Sequence, residues 1–223
     1  MTTLELFTPD AGAVIPLGPG ITLLRGFADS TRLMPRIEQV AARAPFRHLV
    51  TPGGQTMSVA MTNCGPLGWV SDRSGYRYDA RDPLSGEAWP PMPEELLELA
   101  LGAATRAGFP KFVPDACLVN RYSAGSRLTA HRDADEQDYT QPIVSVSLGL
   151  PASFAFYGLT RGGKGRSIAL SDGDVLVWGG PARLVYHAVR PVKPGWHPVT
   201  GNFRYNLTFR HALQGGWLTS SSR

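Results

Sequence analysis

Cysteine is scarce in this chain. Only Cys64 and Cys117 occur in 223 residues. They form neither the CxxC spacing of a zinc site nor a disulfide framework. They read as reduced thiols, in a core or lining a site, in a reducing compartment. Long apolar runs are also missing. None approaches the ~18 residues of a membrane span, so no membrane partner is expected. The start, Met1-Thr2-Thr3-Leu4-Glu5, has no basic n-region and no apolar h-region, so no signal peptide and a cytoplasmic location are expected. The helical HExxH of zinc proteases is absent. No internal repeat or low-complexity linker divides the sequence.

What is present describes an ordinary globular protein. Hydrophobic residues make up 43% and charged residues 18%, the balance of a chain that folds around a core. At this length it buries roughly 70–75% of its unfolded surface. Glycine (25) and proline (19) are plentiful, which suits turns and short strands rather than a helical bundle. The net charge of +4 is compatible with a polyanionic partner and does not require one.

Residues 29–43 predict a helix. Asp29 or Ser30 can cap it, and Leu33, Ile37, Val40 and Ala41 fall on one face. Pro35 suggests that the regular part begins only there. A second helix is predicted over 93–107, with Pro93 at its first position, Glu94 and Glu95 at the positive end of the dipole, and Gly108 as its stop. Between them, 45–91 reads as irregular, with short strands at 56–61 and 76–78. From Ala116 the pattern changes to closely spaced strands: 116–122, 127–131, 143–150, 153–158, 166–170, 174–178, 183–188 and 203–211. Strands without intervening helices pair antiparallel in a sandwich or barrel. The expected fold is mainly β with flanking helices: a double-stranded β-helix (jelly roll) of about eight strands.

His131-Arg132-Asp133 and His187 form a metal-ligand set. Two histidines and a carboxylate leave half of an octahedral iron open, as in the facial triad of non-heme Fe(II) oxygenases. On a strand, i and i+2 share a face about 6.6 Å apart, which suits two ligands of one ion. His187, after Asp174-Val175-Leu176-Val177-Trp178, would bring the third from across the barrel. An HxD alone is weak, since a surface Asp beside a half-buried His reads the same. A catalytic zinc is the sharper rival.

Residues 204–210 alternate. Tyr205, Leu207 and Phe209 share one face, and Arg204, Asn206, Thr208 and Arg210 the other. The plain alternative is a half-exposed strand with its polar face in water. As the strand that closes the barrel, it would turn that face inward. Arg204 and Arg210 lie ~20 Å apart along the backbone, and their side chains can hold opposite ends of a small dicarboxylate in bidentate pairs. Asn120 and Tyr122 add hydrogen bonds from one face of a neighbouring strand. A 2-oxo acid that chelates iron and ends in a second carboxylate meets this demand: 2-oxoglutarate.

Taken together, Asn120-Arg121-Tyr122, His131-Arg132-Asp133-Ala134-Asp135-Glu136, His187 and Arg204-Tyr205-Asn206-Leu207-Thr208-Phe209-Arg210 resemble the AlkB family of iron- and 2-oxoglutarate-dependent nucleic-acid dealkylases, in its bacterial form. Thr51-Pro52-Gly53-Gly54, Met57 to Asn63 and Gly68-Trp69 extend the likeness, which covers about residues 20–211. The resemblance implies that His131, Asp133 and His187 bind Fe(II) and carry the catalysis through it. It implies that Asn120, Tyr122, Arg204, Asn206 and Arg210 bind 2-oxoglutarate, with O2 as the other co-substrate. Trp69, Tyr76, Arg77, Tyr78, Asp135 and Arg161 match positions that line the nucleotide pocket. The implied activity is oxidative demethylation of 1-methyladenine and 3-methylcytosine in DNA or RNA, single strands preferred, by a monomer. Formaldehyde, succinate and CO2 are the implied products. The implied layout is one catalytic domain: an extension and support helix (about 1–44), a nucleotide-recognition lid (about 45–91), a support helix (about 93–108), the jelly-roll core (about 115–213) and a frayed tail (214–223).

These methylated bases are cations, and a cation is drawn to an aromatic face such as Trp69. Asp135 can accept a hydrogen bond from the exocyclic amine. The loop-like neighbours of Trp69 and Tyr76 favour an exposed platform over plain core packing. Arg161, in the basic tip 160–166, is either solvated surface or a contact for phosphate or base. Two residues depart from the family pattern: Asp72 adds an acid to the presumed nucleic-acid face, and Ala134 replaces a longer basic residue. The competing functions are a hydroxylase of a protein or small molecule with the same fold, and a jelly-roll binding module with an incidental triad.

Overall fold

A computed structural model describes residues 12–213; the expected tail at 214–223 lies outside them. From Ala116 onward the eight expected strands all form. They are β7 (Ala116–Tyr122), β8 (Leu128–His131), β9 (Ile143–Gly149), β10 (Ala152–Gly158), β11 (Arg166–Leu170), β12 (Val175–Trp178), β13 (Tyr186–Val189) and β14 (Arg204–Arg210). They divide equally between two antiparallel sheets, β12-β9-β14-β7 and β11-β10-β13-β8. The first sheet continues at one end into β2 (Ile21–Leu24) and β1 (Val14–Gly18), and at the other into β4 (Thr56–Cys64) and β3 (Arg47–Val50). This is the expected jelly roll, with a longer major sheet.

β14 does not close the barrel at an edge. It lies inside the major sheet, with Asn206 opposite Asn120 of β7 on one side and Ser147 of β9 on the other. Every residue of β14 is buried. Its two faces meet different neighbours. Tyr205, Leu207 and Phe209 join the cluster under the helices, with Val119, Val144 and Val146. The polar residues face the space between the sheets, beside Leu118, Tyr122 and Trp178.

Helix α1 (Ser30–Arg43) contributes Leu33, Met34, Ile37 and Val40 to that outer cluster, and α2 (Glu94–Arg106) adds Leu96, Ala100, Ala103 and Ala104. Each fully buried Leu, Ile or Val contributes roughly 1.5–3 kcal/mol. Asp29 caps α1 by accepting from Thr31 N at 2.9 Å. The helix then runs through Pro35, instead of starting there. Tertiary burial of one face outweighs the lost backbone bond.

The stretch read as irregular holds more order than its composition suggests. Besides β3 and β4 it contains a hairpin, β5 (Gly68–Asp72) and β6 (Gly75–Asp79). Asp72 turns it by accepting from Ser74 N at 2.8 Å, and Gly75 has φ +132°. The hairpin is fastened to the body by side chains. Asn63 bonds both the N–H and C=O of Trp69 at 3.0 Å, and Ser71 reaches the Val50 carbonyl at 2.7 Å. Gly68 is required where β5 crosses Trp89, since a Cβ there would lie 2.3 Å from the indole. Trp69 and Tyr76 therefore stand on paired strands, not in loops.

Candidate active site

The two sheets enclose a cavity of about 530 Å³. Its lining includes His131, Asp133 and His187, the co-substrate candidates Asn120, Tyr122, Asn206 and Arg210, and the platform candidates Trp69, Tyr76 and Asp135.

His131 and His187 are cross-strand partners on β8 and β13, neighbours in the minor sheet. The third ligand thus comes from the next strand and not from across the barrel. Asp133 lies two residues beyond the end of β8, so strand periodicity does not place it. Ligand atoms of the three residues nevertheless lie within 4.8 Å of one another. Each imidazole Nε2 is 3.9 Å from an Asp133 oxygen. Each Nδ1 faces a carbonyl, Thr129 at 2.8 Å and Val185 at 3.1 Å. That contact holds the proton on Nδ1 and leaves Nε2 as the electron-pair donor. The plane of Phe154 stacks on His187 at 5.5 Å, and Trp178 meets it edge-on at 5.1 Å. Burial, with the His131 charge beside it, pushes His187 down to about 4. It is neutral at physiological pH, the state a metal ligand needs. Burial alone would raise the Asp133 carboxyl, but Arg210, His187, His131 and Arg183 hold it well below the usual carboxylate range. Two imidazoles and a carboxylate on one side of a cavity fit a divalent iron with open positions.

The arginines at the two ends of β14 differ. Arg210 donates through Nε and Nη2 to Asp133 at 3.2 and 3.0 Å, and its Nε is 3.4 Å from Glu136. Arg204 is 1% exposed and stacks on the Tyr122 ring, with Cζ 4.8 Å from the centroid. It does not itself line the cavity. Its Nη2 donates to Ser147 at 3.0 Å, while Nε, Nη1 and the neighbouring Tyr122 hydroxyl have no hydrogen-bond partner. Burial lowers the Arg204 pKa, and no carboxylate offsets it. Unmet donors around a buried cation suit the carboxylate of a small acid. Asn206 is held by donating to Ser145 at 2.8 Å and the Val146 carbonyl at 3.0 Å.

At the cavity mouth Trp69 and Tyr76 stack, 5.5 Å apart and 14° from parallel. Tyr76 is 47% exposed. The Trp69 indole N–H donates to Asp135 at 2.8 Å. Three expected pocket residues stand elsewhere. Arg77 pairs with Asp72 at 2.9 Å on the hairpin, because alternation turns it away from Tyr76. Tyr78 packs beside Leu67, Ala116 and Ala212 and donates to Glu136 at 2.6 Å. Arg161 is exposed in the β10–β11 turn and does not touch the cavity. Asp72 shapes the turn and neutralises Arg77, so it acts within the hairpin.

Sequence reading missed Glu136, Arg183, Ser145 and Ser147. Their roles come from contacts across 47 or more positions of sequence, which no local pattern records.

The chain matches the model of the 2OG-Fe(II) oxygenase superfamily over residues 20–210. It is 53% identical to the alpha-ketoglutarate-dependent dioxygenase AlkB of Salmonella typhimurium, across 95% of this chain and 99% of that protein. The AlkB of Escherichia coli is 52% identical, across 94% and 98%. The solved structure of OsALKBH1 superposes with a TM-score of 0.79 at 28% identity, covering 89% of this chain and 100% of that one.

Proposed function

This chain belongs to the AlkB family of 2OG-Fe(II) dioxygenases, and from that premise we propose that it demethylates 1-methyladenine and 3-methylcytosine in DNA or RNA. One observation carries the reading: a His–Asp–His ligand set lines a cavity below an aromatic platform, and Arg204, with its unmet donors, is buried against Tyr122 in the wall of that same cavity. Iron and 2-oxoglutarate supply the oxidation, in which O2 and the co-substrate yield succinate and CO2 while the N-methyl carbon leaves as formaldehyde.

The protein's share is binding, orientation and exclusion. His131 and His187 would hold the metal through Nε2 and Asp133 through its carboxylate. Arg204 and the Tyr122 hydroxyl would receive the outer carboxylate of 2-oxoglutarate. Arg210, with Asn120 and Asn206, would orient the end nearer the metal. Trp69 and Tyr76 offer an aromatic face that attracts a cationic methylated base more than a neutral one. Asp135 adds negative charge and an acceptor for the exocyclic amine, and His131 borders the opposite side. A base must leave its stack to enter, and a methylated pairing edge has already lost much of its partner. That favours single strands. Arg161 and the basic turn around it would meet phosphate, and Arg77 and Tyr78 support the platform from behind. Residues 45–91 then serve as the recognition lid on one catalytic domain. The working form would be a monomer in the cytoplasm. No described helix is long and apolar enough to cross a membrane.

The test is an anaerobic titration with Fe(II) and 2-oxoglutarate, then admission of O2 and mass spectrometry of methylated oligonucleotides. Loss of 14 mass units (about one CH2 per lesion) together with formaldehyde is expected. 2-Oxoglutarate turnover with no change in any oligonucleotide would favour a protein or small-molecule hydroxylase. Salt gives a second measurement: if about three phosphates are neutralised on a single strand, raising salt from about 50 to 200 mM cuts binding roughly twentyfold.

A further inference from the structure

Asp133 is the one candidate ligand that no strand holds. Between β8 and β9 the chain runs from Arg132 to Pro142 outside the ladders of either sheet. A carboxylate on such a segment is only as well placed as the groups that grip the segment. Arg183, at the turn before β13 and only 3% exposed, grips it at three points. Its Nη1 donates to the carbonyl of Asp133 itself at 2.9 Å. Its Nη2 donates to Glu136 at 3.0 Å, and its Nε to the Gln141 carbonyl at 2.9 Å. The Tyr139 ring lies against the guanidinium at 5.5 Å, and its hydroxyl donates to the Ala134 carbonyl at 2.9 Å. One planar fork therefore holds the beginning, middle and end of the segment.

The charges also close. Asp133 and Glu136 face Arg183 and Arg210, two carboxylates against two guanidiniums. The second Glu136 oxygen accepts from Tyr78 at 2.6 Å. A buried set of this kind is stable when every member is satisfied, and removing one leaves a charge unpaired.

We propose that Arg183 is a positioning residue for the metal site, holding Asp133 where its carboxylate meets both imidazoles. The inference rests on reading His131, Asp133 and His187 as the metal ligands. Arg183 touches neither metal nor co-substrate in this role. A lysine keeps the charge but not the three fixed directions.

The experiment measures Mn(II) binding to the metal-free full chain by electron paramagnetic resonance of the free ion, with thermal unfolding recorded in parallel. Mn(II) accepts the same oxygen and nitrogen ligands in octahedral geometry. Losing a partner that orients a metal ligand typically weakens metal binding by roughly 10- to 100-fold, and R183K is expected in that range while remaining folded. Tyr139→Ala, at a half-exposed position, should fold whatever R183K does and should weaken binding less, in the same direction. The control is R47K, which disturbs the pair that Arg47 makes with Asp82 at 2.6 Å on the edge strand β3. It should lower the melting temperature and leave Mn(II) affinity unchanged. Wild-type affinity in both R183K and Tyr139→Ala would overturn the proposal, as would an equal loss in R47K. His187→Ala separates the two readings. If it binds Mn(II) as the wild type does, the ligand assignment falls, and the inference with it.

Discussion

The two ends of β14 carry the same side chain on the same face, yet they are electrostatic opposites. Arg210 is 7% exposed and Arg204 1%. Arg210 sits among Asp133, Glu136 and the Tyr78 hydroxyl, and those neighbours hold its pKa up against the effect of burial. Arg204 has only neutral company, and burial lowers it. A buried cation without an anion is costly, and the cost falls when an anionic ligand arrives. So the Arg204 end is built to receive a carboxylate, whereas the Arg210 end already has one in Asp133. Two arginines that look like a symmetric clamp in sequence stand in different surroundings, and on the function proposed above one would anchor the co-substrate while the other would bridge it to the metal site.

The strongest way to break that contrast is to remove the carboxylate at the Arg210 end. Asp133→Ala takes away a metal ligand and leaves Arg210 without its nearest anion. Demethylation and substrate-free 2-oxoglutarate turnover should both be abolished, as they should in His131→Ala and His187→Ala. Succinate formation by chromatography checks this, and full turnover in any of the three would remove that residue from the site.

Next in size is the other end. Arg204→Ala should weaken 2-oxoglutarate binding by about 2–5 kcal/mol, roughly 30- to several-thousand-fold. Mn(II) affinity should stay close to that of the wild type, because Arg204 contacts none of the three ligands. Isothermal titration with each ligand separates the two effects. Equal losses for metal and co-substrate would show that the ends are not independent.

Trp69→Ala touches neither end and therefore calibrates both. Stacking of a base is worth about 1–3 kcal/mol, so oligonucleotide binding should fall by that amount while slow 2-oxoglutarate consumption without substrate persists. If consumption falls in step with repair, the Trp69 indole is holding the hairpin through its bond to Asp135 and its stacking on Tyr76 instead of receiving a base. The smallest change, Tyr122→Phe, removes one unmet hydroxyl beside Arg204. A single neutral hydrogen bond is worth about 0.5–1.5 kcal/mol, so 2-oxoglutarate binding should weaken by roughly 2- to 13-fold. No change would mean that the hydroxyl plays no part in binding the carboxylate.

Much of this was legible before the structure. Eight strands from Ala116 onward, the two helices, and the inward and outward faces of 204–210 all follow from alternation and turn residues. The hairpin was harder to see. Val70 and Ser71 are buried next to the half-exposed Trp69, so no clean alternation marks β5, and its attachment runs through the Asn63 side chain rather than through a strand ladder. Likeness to the family points to Arg77 and Tyr78 as pocket residues. Their directions follow from hairpin pairing and packing, which turn Arg77 to Asp72 and Tyr78 to Glu136.

By itself the sequence determined which chemistry is available: two imidazoles and a carboxylate, two arginines at matched parity on one strand, and an aromatic pair near a turn. Residue identity and local periodicity are short-range properties, and the chain carries them before it folds. Only the tertiary structure decided which groups became neighbours. It set β14 between β7 and β9, paired His131 with His187, brought Arg183 to the backbone of Asp133 across 50 positions, and left Arg204 without an anion. Those outcomes depend on strand order and on what each buried charge meets, and both are fixed by contacts far apart in sequence.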